Sequence, residues 1–290
     1  MSAYRFCRTD DIALLVEAHR QCWLPHFPDE AQLSVDAFKR EIRELQLWCS
    51  SCMVAFAGDQ LVGFLNGAKR AKSTLIHRIA VHPDHLRQGH ARHLLTSLSS
   101  KLAILGPPRL VAEIPDSLPA TQALFEACGY QRAATLTDYL LPSEGRSPGG
   151  SGPPPDDTFL VPITMEDVEA NDLLAGLIES AWERSAETLR ARTESINGLA
   201  MATVDRIASL LLHRAAADGS TEILALRALE ADEDAQAFLS SLVAALARRN
   251  RGPIYYSKAH PDEVPAEWLA AWGLQAQATY GRYVTTARPA

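Results

Sequence analysis

The chain has 290 residues, 47% of them hydrophobic and 22% charged, with 28 Lys and Arg against 35 Asp and Glu for a formal net charge of −7. That is the composition of a soluble globular protein of about two domains at roughly 150 residues each, and it excludes collagen-like and disordered chains. No apolar run approaches the ~20 residues that span a bilayer, and the opening MSAYRFCRTDD has no apolar signal core, so a cytoplasmic location without a membrane partner is expected.

In chain order, Tyr4–Cys7 reads as a short strand, and Thr9-Asp10-Asp11 starts a helix whose apolar periodicity runs to Trp23. A second helix is predicted over Val35–Leu47. Cys52–Ala57 and Leu61–Ala68 alternate in hydrophobicity on either side of Gly58-Asp59, which is a hairpin pattern. Thr74–Val81 follows as a strand, His90–Leu105 as an amphipathic helix and Leu110–Ile114 as a strand. Ala120–Ala127 is a helix ended by Gly129, and Arg132–Leu141 closes as a strand. The five cysteines (Cys7, Cys22, Cys49, Cys52, Cys128) all precede this point and read as reduced thiols. Cys49 and Cys52 make a C-x-x-C with no second pair at zinc spacing, and packing is the plainer role for them.

Residues 143–155, SEGRSPGGSGPPP, hold four Gly and four Pro and read as a linker. Domains are therefore expected at 1–142 and 156–290. The first carries a net charge of +1 over residues 1–142, and residues 143–290 carry −8. Neither has the basic stripe of a nucleic-acid binder. At an offset of 144 the sequence repeats: residues 94–140 match 238–284 without a gap at eleven of 47 positions, among them Gly129/Gly273, Gln131/Gln275 and Tyr139/Tyr283. Two copies of one α/β fold are expected.

The chemistry concentrates in Ile79-Ala-Val-His-Pro-Asp-His-Leu-Arg-Gln-Gly-His-Ala-Arg. A strand ending at Val81 meets Pro83, a short loop with Gly89, and a helix start. The first amides of a helix have no intrahelical acceptor and the macrodipole is positive there. Gly89 allows close backbone approach, Ala91 leaves room, and Arg87 and Arg92 add charge, which together suit a phosphate or pyrophosphate. An ordinary turn glycine is the alternative.

This segment resembles motif A of the Gcn5-related N-acetyltransferases (GNAT), a Val-x-Pro strand followed by [Q/R]-x-x-G-x-[G/A]. Leu86 stands where the first polar residue is usual. Glu113-Ile114, Leu124-Phe125 and Gly129-Tyr130 resemble the family's later motif. The resemblance covers the whole first domain. It implies two GNAT-like domains, each a central, mixed, mostly antiparallel sheet flanked by helices, and acetyl-CoA as co-substrate without a metal. The backbone of Ile79, Ala80 and Val81 would bond the pantetheine arm, while Arg87, Gln88, Gly89, His90, Ala91 and Arg92 would hold the pyrophosphate. A splay between strands to admit the cofactor is part of the same implication.

Direct acyl transfer needs a base for the amine. Glu113 sits in a mostly apolar strand, at the spacing that relatives acetylating protein N-termini use for a base; a strand-end carboxylate paired with an arginine is the alternative. His77, in line with Ile79 and Val81, is the second candidate, as an imidazole titrating near neutrality or as a structural histidine. The family's acid tyrosine falls at Phe125, which has no hydroxyl, so that role is unassigned, with Tyr130 and Tyr139 as substitutes. Cys128 reads as packing, and the histidine-rich turn His82, His85, His90, His93 as solvated. Trp23, His26 and Phe27, with Asp29 and Glu30, are candidates to meet a cationic acceptor.

In the second copy Ala231-Asp-Glu-Asp-Ala235 faces the cradle; its carboxylates oppose a pyrophosphate and the glycine is missing, so a structural or substrate-shaping half is expected. The expected activity is N-acetylation of a primary amine of a small molecule or peptide, by a monomer or homodimer with no nucleic-acid partner. A non-catalytic acyl-CoA sensor and an acyltransferase using a longer acyl chain are the alternatives.

Overall fold

The computed structural model describes residues 2–144, 157–175, 177, 180–192, 196–229 and 234–289. Most of the linker and residues 231–233 opposite the cradle therefore lie outside the described residues. None of the described helices is long and apolar enough to cross a membrane.

Two compact units are present: Met1–Ala134 with Gly281–Ala290, and Thr135–Tyr280. They do not coincide with the sequence copies 1–142 and 156–290. The difference lies in the last strand of each copy, and it has no local signal because strand partners are chosen by the whole fold.

The first unit begins with β1 (Ser2–Phe6) and α1 (Ile12–Ala18), which runs on as a π-turn over His19–Trp23. Helix α2 (Val35–Leu45) is capped by the Ser34 hydroxyl, which accepts from the Ala37 amide. It stops two residues before the predicted Leu47 because Gln46 takes a left-handed φ of 60° and Leu47 bridges to Ala68. Then come β2 (Met53–Ala57), β3 (Gln60–Lys69), β4 (Ser73–Val81), α3 (His90–Leu105), β5 (Arg109–Pro115), α4 (Pro119–Ala127) and the start of β6 (Gln131–Leu141). Strands β1 to β4 are antiparallel neighbours in sequence order, and β4 pairs with β5 in parallel.

The second unit repeats the plan with β7 (Phe159–Ile163), α5 (Met165–Ala170), α6 (Ala186–Ala191), β8 (Asn197–Ala202), β9 (Ile207–Ala215), β10 (Thr221–Ala228), α7 (Ala235–Arg249), β11 (Ile254–Ala259), α8 (Ala266–Ala271) and β12 (Gln275–Thr286). Strands β7 to β10 are again antiparallel and β10 pairs β11 in parallel. Beyond β11 this unit takes Thr137–Leu141 of β6, antiparallel. In the first unit the strand beside β5 is β12, whose Gly281–Thr286 belongs there. Tyr283 and Ala287 enter the first core with Leu94, Leu98, Leu110 and Phe125, and the Ala287 amide donates to Pro108 O at 2.6 Å.

Helices in both units bury one stripe against their sheet. In α3 that stripe is His90, Leu94, Leu95, Leu98 and Leu102; in α7 it includes Phe238, Leu239, Leu242 and Leu246. The two helix-ending glycines match as well: Gly129 has φ +84° and Gly273 φ +87°, values that favour glycine at C′.

Candidate active site

The parallel β4–β5 ladder runs from Ser73–Arg109 to Ile76–Ala112 and ends there. On its other edge β4 stays paired with β3 up to Val81–Gly63, with a register shift between Asn66 and Gly67 that leaves His77 as the bulged residue. Bulges re-aim a side chain and end pairing locally. Ile79, Ala80 and Val81 therefore lie on the stretch of β4 past the last β5 rung, and the next rung, had the ladder continued, joins His77 to Glu113. The two candidate bases are therefore the first residues of β4 and β5 beyond the last rung.

Past Val81 the chain enters a 3₁₀ turn over Pro83–His85 and then the cradle loop. Arg87 takes φ 62° and Gly89 φ 87°, and Gly89 is the N-cap of α3 with no side-chain cap on the helix amides. Left-handed residues spaced this closely turn successive N–H groups into one concavity, a shape that binds anions. A Cβ at Gly89 would meet nothing within 4 Å, so its side of the backbone faces open space. Arg87, Gln88 and Arg92 are exposed; His90 is buried, its Nδ1 bonded to the Tyr4 hydroxyl at 2.7 Å, so it contributes to the concavity through its backbone. Exposed Leu86 offers no polar contact. The open strand edge and uncapped helix start fit a nucleotide pyrophosphate with an extended arm.

Glu113 is bonded to Arg282 at 3.1 Å, with side-chain exposures of 4% and 5%. This is the arginine pairing weighed beside its role as base, and the partner comes from β12, 169 residues away. His77 lies 3.9 Å, Nε2 to Oε2, from Glu41, a half-buried residue of α2 that the sequence reading passed over. Glu41 also takes two bonds from Arg78, at 2.6 and 2.9 Å. Burial pushes its carboxyl up, but the Arg78 bonds and the nearby His77 and His19 outweigh burial, and the net direction is down. A signal was available: Glu41 falls three residues after buried Phe38 and four before buried Leu45, on the apolar face of α2.

Of the acceptor candidates, Trp23 reaches the Arg78 that grips Glu41, and His26 reaches the end of β4. The Trp23 ring stacks on Phe27 at 4.4 Å, lies 6.0 Å from the Arg78 guanidinium, and donates through Nε1 to Glu30 at 2.8 Å. His26 donates from Nε2 to the Val81 carbonyl at 2.8 Å, tying the π-turn region to the end of β4. His19, buried in the π-turn, is pushed below its ordinary value by burial and then by Arg78.

Phe125 is buried edge-on to Tyr130, whose hydroxyl is buried without a hydrogen-bond partner and whose phenol is pushed up by burial. Tyr139 belongs to the core of the second unit. All five cysteines are free; burial pushes the Cys7 and Cys22 thiols up to about 12 and raises Cys49, Cys52 and Cys128 too, so none is an activated nucleophile. Among the described residues no group of three or more His, Cys, Asp or Glu is placed to hold a metal ion.

The second unit has the same opening with different contents. Its parallel ladder ends at Glu222–Tyr255, and β10 carries the matching bulge at Leu224. Arg184, 1% exposed, reaches strands on both sides: it donates to Leu224 O at 3.4 Å on β10, and to Ser257 O at 2.7 Å and Lys258 O at 2.9 Å on β11. Glu263 neutralises it through two bonds of 2.8 Å and receives the Tyr256 hydroxyl at 2.6 Å. Burial opposes the charge of Arg184, and Glu263 with Tyr256 more than offsets it.

Residues 12–130 match the family model described as Acetyltransferase (GNAT) family. The [ribosomal protein bS18]-alanine N-acetyltransferase of Escherichia coli K12 is 34% identical over 101 residues, 35% of this chain and 63% of that protein, so the match spans under two thirds of the relative. Over the whole chain the fold is similar to a GCN5-related N-acetyltransferase from Sphaerobacter thermophilus, with TM-score 0.68 and 15% identity, covering 99% of this chain and 96% of that one. It is also similar to a tandem GNAT protein from the clavulanic acid biosynthesis pathway, with TM-score 0.65 and 15% identity over 100% and 99% of the two chains.

Proposed function

From the match of residues 12–130 to the GNAT acetyltransferase family model, in a chain whose fold is similar to that of a tandem GNAT protein, we propose that this protein is an N-acetyltransferase acting from acetyl-CoA on a primary amine of a small molecule or peptide. The observation that carries the reading is the end of the β4–β5 ladder at Ile76–Ala112 beside the uncapped, glycine-started helix α3. Acetyl-CoA, when bound, supplies an acyl group already activated as a thioester. The chain's own residues do the rest. Backbone amides around Arg87–Arg92 hold the pyrophosphate, with Arg87 and Arg92 adding charge, and the backbone of Ile79, Ala80 and Val81 aligns the pantetheine arm. Proton removal from the acceptor falls to Glu113 or His77, at the first rung past the ladder. Trp23 and Phe27 line the acceptor side, and His26 braces it through Val81. No phenol stands at Phe125 to act as acid, and the Arg184-filled second unit is the structural partner.

Phe125 favours one second reading, a sensor that binds acyl-CoA without turnover. The test is calorimetry of acetyl-CoA on wild type and Gly89→Glu, followed by thiol release across amines that include a peptide with N-terminal alanine, the residue type named for the bS18 relative. Glutamate at a backbone of φ +87° adds strain and a negative charge in the concavity, and an affinity loss of at least about 100-fold is expected. Equal binding by both proteins removes the assignment of the cradle. Binding without thiol release for any amine makes the sensor the better reading, and faster release from longer acyl donors moves the donor class.

A further inference from the structure

His77 is the bulged residue of β4, and the carboxylate of Glu41 lies 3.9 Å from its Nε2. Glu41 is not loose. Arg78, one residue along the strand, grips it with two bonds of 2.6 and 2.9 Å, and the indole of Trp23 sits over that guanidinium. A carboxylate clamped in this way stays charged and stays put, which is what a group needs in order to orient an imidazole and stabilise its protonated form. The second unit offers a contrast, because its bulged residue is Leu224 and has no proton to exchange.

We propose that Glu41 is a positioning residue for the acyl-transfer site: held by Arg78, it orients His77 and stabilises the imidazolium formed when His77 takes a proton from the acceptor's ammonium group. The inference rests on the N-acetyltransferase reading and makes His77 the base. In the step an N–H bond of the ammonium breaks, the electron pair stays on nitrogen as the nucleophile, and the proton passes to the imidazole. Glu41 and Arg78 keep their charges throughout. The ionisable groups on the elements around β4 include the buried or half-buried His19 in the π-turn, Glu41 on α2, Arg78 beside it, His90 on α3, and the Glu113–Arg282 pair. Lys69 on β3, Arg109 on β5, Arg20 in the π-turn, Arg92, His93 and Lys101 on α3, and Asp36, Lys39, Arg40, Arg43 and Glu44 on α2 complete the set. Glu41 Oε2 thus meets a guanidinium and an imidazole at once, accepting the 2.6 Å bond from Arg78 and lying 3.9 Å from the His77 Nε2.

The test compares full-length wild type and Glu41→Gln. The His77 imidazole, assigned by its loss in His77→Gln, is titrated by NMR without acetyl-CoA, and the pH profile of kcat/KM is measured with an amine that wild type acetylates. Loss of the carboxylate is expected to lower the His77 midpoint by about one pH unit, a tenfold change in its proton affinity. The acidic limb of the profile is expected to follow, with the acetyl-CoA affinity unchanged. A mere tie between α2 and β4 predicts lower melting temperature and an unmoved midpoint, and that result overturns the proposal. Should Glu41→Gln fail to fold, Glu41→Gln/Arg78→Gln is titrated against Arg78→Gln; a lower midpoint in the double variant supports the role and an equal one overturns it. A wild type that acetylates no amine overturns the enzyme reading and this role together, whereas an active wild type with an unmoved midpoint removes the role of Glu41 alone.

Discussion

The two units open at the same point of the same fold. In the first, β4 and β5 part after Ile76–Ala112 and bring His77 and Glu113 to the gap; in the second, β10 and β11 part after Glu222–Tyr255 and a buried guanidinium bonds carbonyls on both strands. The bulge is kept, at His77 and at Leu224, and so are the helix-ending glycines. Where the first unit has an imidazole at its bulge the second has Leu224, and the second alone of the two holds a buried Arg184–Glu263 pair among its strand carbonyls. Fold and site thus separate cleanly in one chain. The fold rests on burial periodicity shared by dozens of positions, while the site rests on a handful of residues that can be replaced without disturbing it.

That contrast can be broken in several ways. The largest effect is expected from deleting residues 281–290, which removes buried Tyr283 from the first core and Arg282 from Glu113. The first unit should lose its cooperative melt and its acetyl-CoA binding, while calorimetry still shows a transition for the second. Next is Arg184→Met, which strands Glu263 in the interior at a cost of about 3–5 kcal/mol; removing both charges in Arg184→Met/Glu263→Met should restore most of it in urea titrations. Neither variant should change acetyl-CoA stoichiometry, and a second binding site in either would show that Arg184 alone, and not the lost cradle, closes the second unit.

Smaller still, Gly129→Ala and Gly273→Ala each force an L-residue into left-handed backbone, and each should lower stability by about 1 kcal/mol or a little more. Similar losses in the two melting transitions would confirm that the copies keep equivalent helix ends; a large asymmetry would show that they have diverged there. The smallest effect concerns helix starts. Asp11, ahead of α1, is bonded to Arg5 and the Arg8 amide, and Arg5 foremost holds its carboxyl down to about 2. A depressed carboxyl lends stability that is complete above its unfolded value of about 4 and fades as pH falls through that value toward 2. Asp11→Asn should therefore flatten the loss in urea midpoint between pH 5 and 2.5 and leave the slope from pH 7 to 9 unchanged.

Local pattern carried much of this structure. The helix His90–Leu105 was legible to the residue because its apolar stripe starts at a loop glycine and stops at Gly106. The loop with Gly89 as the start of α3 was legible, its reading as an anion cradle leaned on the family resemblance, and nothing in Arg87 announced its positive φ. Glu113 shows where pattern fails: its strand and its flanking residues were clear, but Arg282 lies 169 residues away, and no window of sequence holds both. Arg184 is similar, an arginine in a short Trp-Glu-Arg-Ser stretch whose partners Glu263 and Ser257 come from later elements. The π-turn at His19–Trp23 was hidden because its apolar spacing reads as a continuing α-helix. Local propensity and periodicity reach a few turns; ion pairs between distant strands lie beyond that range.

The membership of Gly281–Ala290 in the first unit also sets a timetable for biosynthesis. A ribosome that has finished Ala134 must add the 146 residues from Thr135 to Tyr280 before the strand that belongs beside β5 begins to emerge. At about 5–20 residues per second that is a wait of roughly 7–30 s. A first unit that folds during that interval would hold β5 as an unpaired strand edge, the kind of surface on which neighbouring chains pair and aggregate. Completion of the first unit thus waits on translation of the other copy, and slow codons or pauses between residues 135 and 280 should lengthen its demand for chaperones.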